Sequence, residues 1–102
     1  MEFLREGEQI ILQDSAKSDY FGKGTLYLTN ARIVFEAIVG GILSKSSEVK
    51  IDQGIPTITA VSAPGGKTLQ IQFEGNVEPT MLHVGNAEKW EAAIKSSLAV
   101  RM

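Results

Sequence analysis

Residues 22–37, GKGTLYLTNARIVFEA, decide the fold of this chain. Two alternating apolar runs flank a polar break at Thr29, Asn30 and Ala31, which is the pattern of a tight antiparallel hairpin. In the first run Leu26 and Leu28 share one face while Thr25, Tyr27 and Thr29 take the other. In the second, Ile33, Phe35 and Ala37 alternate with Arg32, Val34 and Glu36. The Leu26/Phe35 face is expected to be one apolar wall of a small antiparallel barrel, with Glu36 on a wet face.

The same two-residue period recurs on both sides of the hairpin. Residues 8–14 form a first strand, with Ile10 and Leu12 on one face, and a polar loop is expected at residues 15–21. A fourth strand is expected at residues 48–52, with Val49 and Ile51 inward and Glu48, Lys50 and Asp52 outward. Gly54 and Pro56 interrupt before a fifth at residues 57–62. Residues 68–74 alternate cleanly, Leu69, Ile71 and Phe73 against Gln70, Gln72 and Glu74, and residues 79–84 supply a seventh strand. Phe3 and Leu4 are expected to close one barrel end.

The period then changes. Trp90, Ala93, Ile94, Ser97 and Leu98 fall on one face of a helix, with Asn86 at the N-cap position and Glu88 early enough to favour the dipole. A lone helix of this length is marginal in water, so it must dock, and Trp90 is the plug for an open barrel mouth.

Composition narrows the class. A chain of 102 residues is one domain with one core. Cysteine is absent, which removes disulfides, thiolate metal sites and a cysteine nucleophile, and points to a cytoplasmic setting. The start, MEFLREGEQI, has no basic region or apolar core of a signal peptide, so the chain is expected to be mature as written. No apolar run reaches the ~20 residues of a membrane span. A formal charge of −2 argues against nucleic acid as a partner.

The wording G-x-L-Y-L-T-N-x-R-I-V-F, at residues 24–35, resembles the hairpin of the GRAM branch of the pleckstrin-homology (PH) superfamily, and I-P-x-I-x-x-V at residues 55–61 looks like the GRAM fifth strand. The resemblance covers nearly the whole chain. It implies a mainly β fold, a PH-like barrel of seven antiparallel strands in two packed sheets, capped by one C-terminal α-helix. It also implies a non-catalytic intracellular recognition module, without cofactor, whose partner is a membrane phospholipid or a protein. PH domains that bind phosphoinositides carry Lys, a gap, Lys or Arg, any residue, then Arg. Lys17 and Lys23 match the first two places, but Thr25 stands where the Arg would be, and Asp14 and Asp19 dilute the loop.

Two candidate sites follow. Lys17, Lys23 and Lys45 are expected on one rim of the barrel, where each could contribute about 1 kcal/mol toward an anionic surface; ordinary solvated lysines are the alternative. Ile38, Val39, Ile42 and Leu43, in AIVGGILS, are richer in hydrocarbon than a solvated loop needs. They read as a membrane-inserting tip, as a contact for a homo-oligomer built on the strand 3–4 hairpin, or as a loop folded over its own barrel. A two-residue turn at Gly40-Gly41 would set Ile33 opposite Glu48, and a three-residue bulged loop would set it opposite Val49.

Other motifs carry no chemistry. Residues 62–68, SAPGGKT, end like a phosphate loop, but Val61 stands where the motif needs Gly and a strand follows where it needs a helix. Gly22-Lys23-Gly24 lacks the third glycine of a dinucleotide fingerprint. His83, the single histidine, sits between Leu82 and Val84 and is expected at the surface; no metal site or nucleophile turn is visible, so the chain is read as a non-enzyme.

Overall fold

The hairpin forms as its alternation requires. β2 (Gly22–Thr29) and β3 (Arg32–Gly40) pair antiparallel, with Leu28 opposite Ile33 and Leu26 opposite Phe35. The Thr29 hydroxyl holds the turn by accepting from the amides of Ala31 and Arg32, both at 3.0 Å. In the computed structural model, which describes residues 3–41 and 43–100, this pair lies within one antiparallel sheet. The other strands are β1 (Ile10–Ser18), β4 (Lys45–Gly54), β5 (Ile58–Ser62), β6 (Thr68–Phe73) and β7 (Thr80–Val84). Helix α1 (Ala87–Val100) follows.

The strand order is β4-β3-β2-β1-β7-β6-β5. The seven strands and terminal helix match the reading of the sequence, but they form one continuous sheet rather than two packed ones. The reason is β1, whose last residues serve two neighbours: Ala16, Lys17 and Ser18 pair with β2 on one side and with Val84, His83 and Leu82 of β7 on the other. The sheet does not close. Its edges, β4 and β5, are joined by a 3-10 turn at Ile55–Thr57 and do not pair with each other.

One apolar core lies between one face of the sheet and α1. Leu26, Phe35, Ile71 and Trp90 share it with Leu28, Ile33, Leu69, Phe73, Leu82 and Ile94. Asn86 Oδ1 accepts from the Lys89 amide at 3.1 Å, so the expected N-cap starts the helix. Trp90 is fully buried, and its indole Nε1 donates to Asp14 Oδ2 at 2.8 Å. That bond lowers the Asp14 pKa, with Lys89 at 3.0 Å acting in the same direction against the cost of burial.

Three expectations need correction. First, β1 runs to Ser18, so Lys17 lies on a strand and not in a loop. Ala16 and Ser18 turn inward and are small, which made the alternation hard to see. Second, neither β3–β4 register holds: Gly40 pairs with Lys45, Phe35 with Ile51 and Ile33 with Gln53. A bulge at Lys50 places Glu36 opposite Val49, so Val49 is on the outer face with Glu36 and Ile38, while Glu48 shares the face of Ala37. Gly40 makes the loop possible: its φ is +108°, and a Cβ there would come within 2.3 Å of the Ser44 carbonyl oxygen.

Third, Phe3 does not close the barrel. It packs on the outer face, with its ring centroid 4.8 Å from that of Tyr27 and the Arg32 guanidinium 5.4 Å above it. Tyr27 and Val34 are buried although they alternate away from the core. The segment before β1 therefore covers the outer side of the hairpin.

Candidate functional site

Beneath that segment lies the most tightly organised polar cluster among the described residues. Arg32 Nε donates to Glu8 Oε2 at 2.8 Å and a terminal nitrogen donates to Glu8 Oε1 at 3.0 Å, a two-point pairing. The other terminal nitrogen meets Asp52 Oδ2 at 2.7 Å, and the Phe3 carbonyl also accepts from the guanidinium. Thr29 Oγ1 donates to Glu8 Oε2 at 2.6 Å. The side chains of Arg32 and Glu8 are 5% and 3% exposed.

Hydrogen bonding from Arg32 is the largest influence on Glu8 and takes its pKa from 4.5 to about 2, against burial, which acts in the opposite direction. Hydrogen bonding from Glu8 holds Arg32 all the more firmly in its charged form. The two buried members, Arg32 and Glu8, are bound to other parts of the same chain, so the cluster is structural. It ties the segment before β1 to the hairpin and, through Asp52, to β4.

The accessible chemistry lies further along the same outer face, where β1 passes from β2 to β7. Lys17 and Lys23 stand directly opposite each other in the β1–β2 register. Lys17 is also opposite His83, which is opposite Thr68. Outward side chains of five strands thus meet around a groove of about 560 Å³ whose lining includes Lys17, Lys23, Lys67, His83, Thr68 and Ile38. No carboxylate is among the lining residues. Asp19 reaches the edge of this group, with Oδ1 3.1 Å from His83 Nε2.

Gly24 sets how close the strands come at this place. It lies between Ala16 and Ala37, and a Cβ added to it would fall 2.2 Å from the Glu36 carbonyl oxygen. A side chain there would push β3 away and open the floor of the groove.

The structure brings together two of the three lysines read from the sequence. Lys45 stands opposite Gly40 at the foot of the β3–β4 loop and does not line the groove; Lys67 holds the third place. Lys67 was visible within SAPGGKT, but its approach to Lys17 depends on the pairing of β1 with β7, which no local pattern encodes. Of the apolar set, Ile38 lines the groove, Val39 is half-buried and Leu43 is 99% exposed. Ile42 lies outside the described residues.

A second, larger cleft of about 890 Å³ is lined by the β1–β2 turn, by β4 and by the segment between β6 and β7. Ile51, Phe73 and Met81 contribute its apolar lining, but Asp19, Asp52 and Glu78 outnumber its one lysine, Lys50. It is unsuited to an anion. Among the described residues, no group of three His, Cys, Asp or Glu could hold a metal ion, and no helix is long and apolar enough to cross a membrane. The sequence matches no protein-family model and no curated protein.

Proposed function

We propose that this protein is a non-catalytic recognition module that docks on an anionic membrane surface through Lys17, Lys23 and Lys67. The observation that carries the reading is the Lys17–Lys23 pair, two like charges directly opposite on neighbouring strands, in a groove with a third lysine and no carboxylate. Like charges so placed cost stability, and lipid phosphates would offset that cost. The exposed Ile38 beside them offers hydrocarbon to the same surface. In this reading the open sheet is a PH-like barrel of the GRAM type with its gap between β4 and β5. The site then lies on its outer wall rather than in its mouth, and the protein works peripherally in the cytoplasm.

Three lysines near a charged bilayer contribute about 3 kcal/mol together, or roughly a hundredfold in partitioning. Co-sedimentation with vesicles of phosphatidylserine and phosphatidylcholine, at low and physiological salt, tests this. The combined Lys17→Glu, Lys23→Glu, Lys67→Glu variant should lose that binding, and phosphatidylcholine alone should bind neither form. Equal sedimentation of the variant and the parent would remove the groove from the mechanism. Failure of the parent to bind anionic vesicles at low salt would turn the search toward an acidic protein partner.

A second reading, a self-associating domain built on the β3–β4 hairpin, is favoured by a separate observation. Ile38, Val49 and Leu43 on that hairpin are 54%, 42% and 99% exposed. Light scattering on a sizing column is the direct check, and a strict monomer at high concentration would dismiss it.

A further inference from the structure

We infer that two copies of this chain join edge to edge through β4, antiparallel, with the two-fold axis at Val49. The inference rests on the self-association reading and gives it a register.

Among the described residues β4 pairs with β3 only, leaving the hydrogen-bonding groups along its other edge unpartnered within the sheet. Residues 45–50 are exposed without interruption, and β4, ten residues long, contains no proline. A long edge of this kind is a template for another strand. The side chains of β4 select which strand. Antiparallel pairing about a two-fold axis perpendicular to the sheet sets each residue opposite one of the same parity, so one residue lies on the axis opposite its own copy.

With Glu48 or Lys50 on the axis, like charges would meet. With Ser47 there, the charged residues find no opposite partner. With Val49 there, Glu48 faces Lys50 of the second copy and Lys50 faces Glu48, and the bulge at Lys50 ends the regular ladder on each side of this centre.

Lys50 Nζ lies 2.7 Å from Glu48 Oε2 within the chain, so these two side chains already share one face. Joining the copies would make an alternating ring of four charges on that face. On the opposite face the join sets Val49 against Val49 and extends the apolar strip to Ile38 on each side, since Val49 and Ile38 lie on the same side of the hairpin. One register therefore satisfies both faces.

The chain contains no cysteine, which gives a clean test. Residues opposite each other on the axis have Cα atoms about 4.5–5.5 Å apart, inside the range a disulfide spans. Position 47 would be separated from its copy by four residues of rise, about 13 Å, which is too far. Mild oxidation should therefore link Val49→Cys into a covalent dimer and leave Ser47→Cys unlinked.

In light scattering, Glu48→Lys or Lys50→Glu alone should weaken association roughly tenfold through two reversed pairs, and the double exchange should restore it. A dimer in which Ser47→Cys links in preference to Val49→Cys, or in which the double exchange restores nothing, overturns this register and leaves self-association standing. A parent chain that stays monomeric at high concentration overturns both.

Discussion

Replacing Glu8 with Gln removes the charge that binds the segment before β1 to Arg32 while keeping its size. Glu8 has its pKa lowered from 4.5 to about 2 by the guanidinium of Arg32. At about 1.4 kcal/mol per unit, the full shift corresponds to roughly 3 kcal/mol of folding stability. Part of the cluster meets solvent, since the Asp52 side chain is 41% exposed, so screening brings the expected loss to about 1–2 kcal/mol.

The pH dependence identifies the source. Because the folded pKa lies below the unfolded one, the contribution is fully present above about pH 4.5 and disappears as pH falls toward about 2. Urea midpoints of the parent and Glu8→Gln, measured from neutral pH downward, should keep a constant gap to about pH 5 and then converge. The difference between the two proteins cancels the other carboxylates, including Asp14, whose own pKa is lowered by Trp90. A gap that is absent at neutral pH, or that persists unchanged to pH 2, would refute the ion pair as the source.

Two further substitutions probe the packing. Trp90→Ala should cost about 3–5 kcal/mol, because a fully buried indole is removed and the Asp14 carboxylate loses its donor; a thermal midpoint equal to that of the parent would show that the helix does not hold the core. Gly24→Ala should lower stability by about 1–3 kcal/mol through collision with the backbone of β3, and an unchanged denaturation curve would contradict the close approach of β2 and β3.

The elements that could be read from the sequence are those whose side chains alternate strongly. Leu26, Leu28, Ile33 and Phe35 define their hairpin without help, as do Leu69, Ile71 and Phe73 in β6, and Trp90 with Ile94 defines the docked face of α1. Less could be read where long-range pairing decides the outcome. The end of β1 looked like a loop because Ser15, Ala16 and Ser18 carry little hydrocarbon, yet pairing on both sides holds them extended.

The bulge at Lys50 exchanged the faces of Val49 and Glu48, which period-two counting cannot foresee. The outer-face cover is illegible in the sequence for a related reason: Tyr27, Val34 and Arg32 alternate as surface residues should, and only the folding back of Phe3 and Glu8 buries them. Of the candidate site, residue types were visible but their convergence was not. Lys17 and Lys23 could be guessed as neighbours across a turn, whereas Lys67 and His83 join them only through β7.

The double duty of β1 bears on how the chain acquires its shape. Ala16 and Val84 lie near opposite ends of the sequence yet are direct partners, and contacts so distant along a chain slow folding. A ribosome-bound intermediate could assemble the β1–β4 meander early, but its interior would stay unroofed until β7 and α1 emerged. The domain therefore cannot become stable until β7 and α1 have been made, and the half-made sheet, with bare edges, is the species most exposed to aggregation.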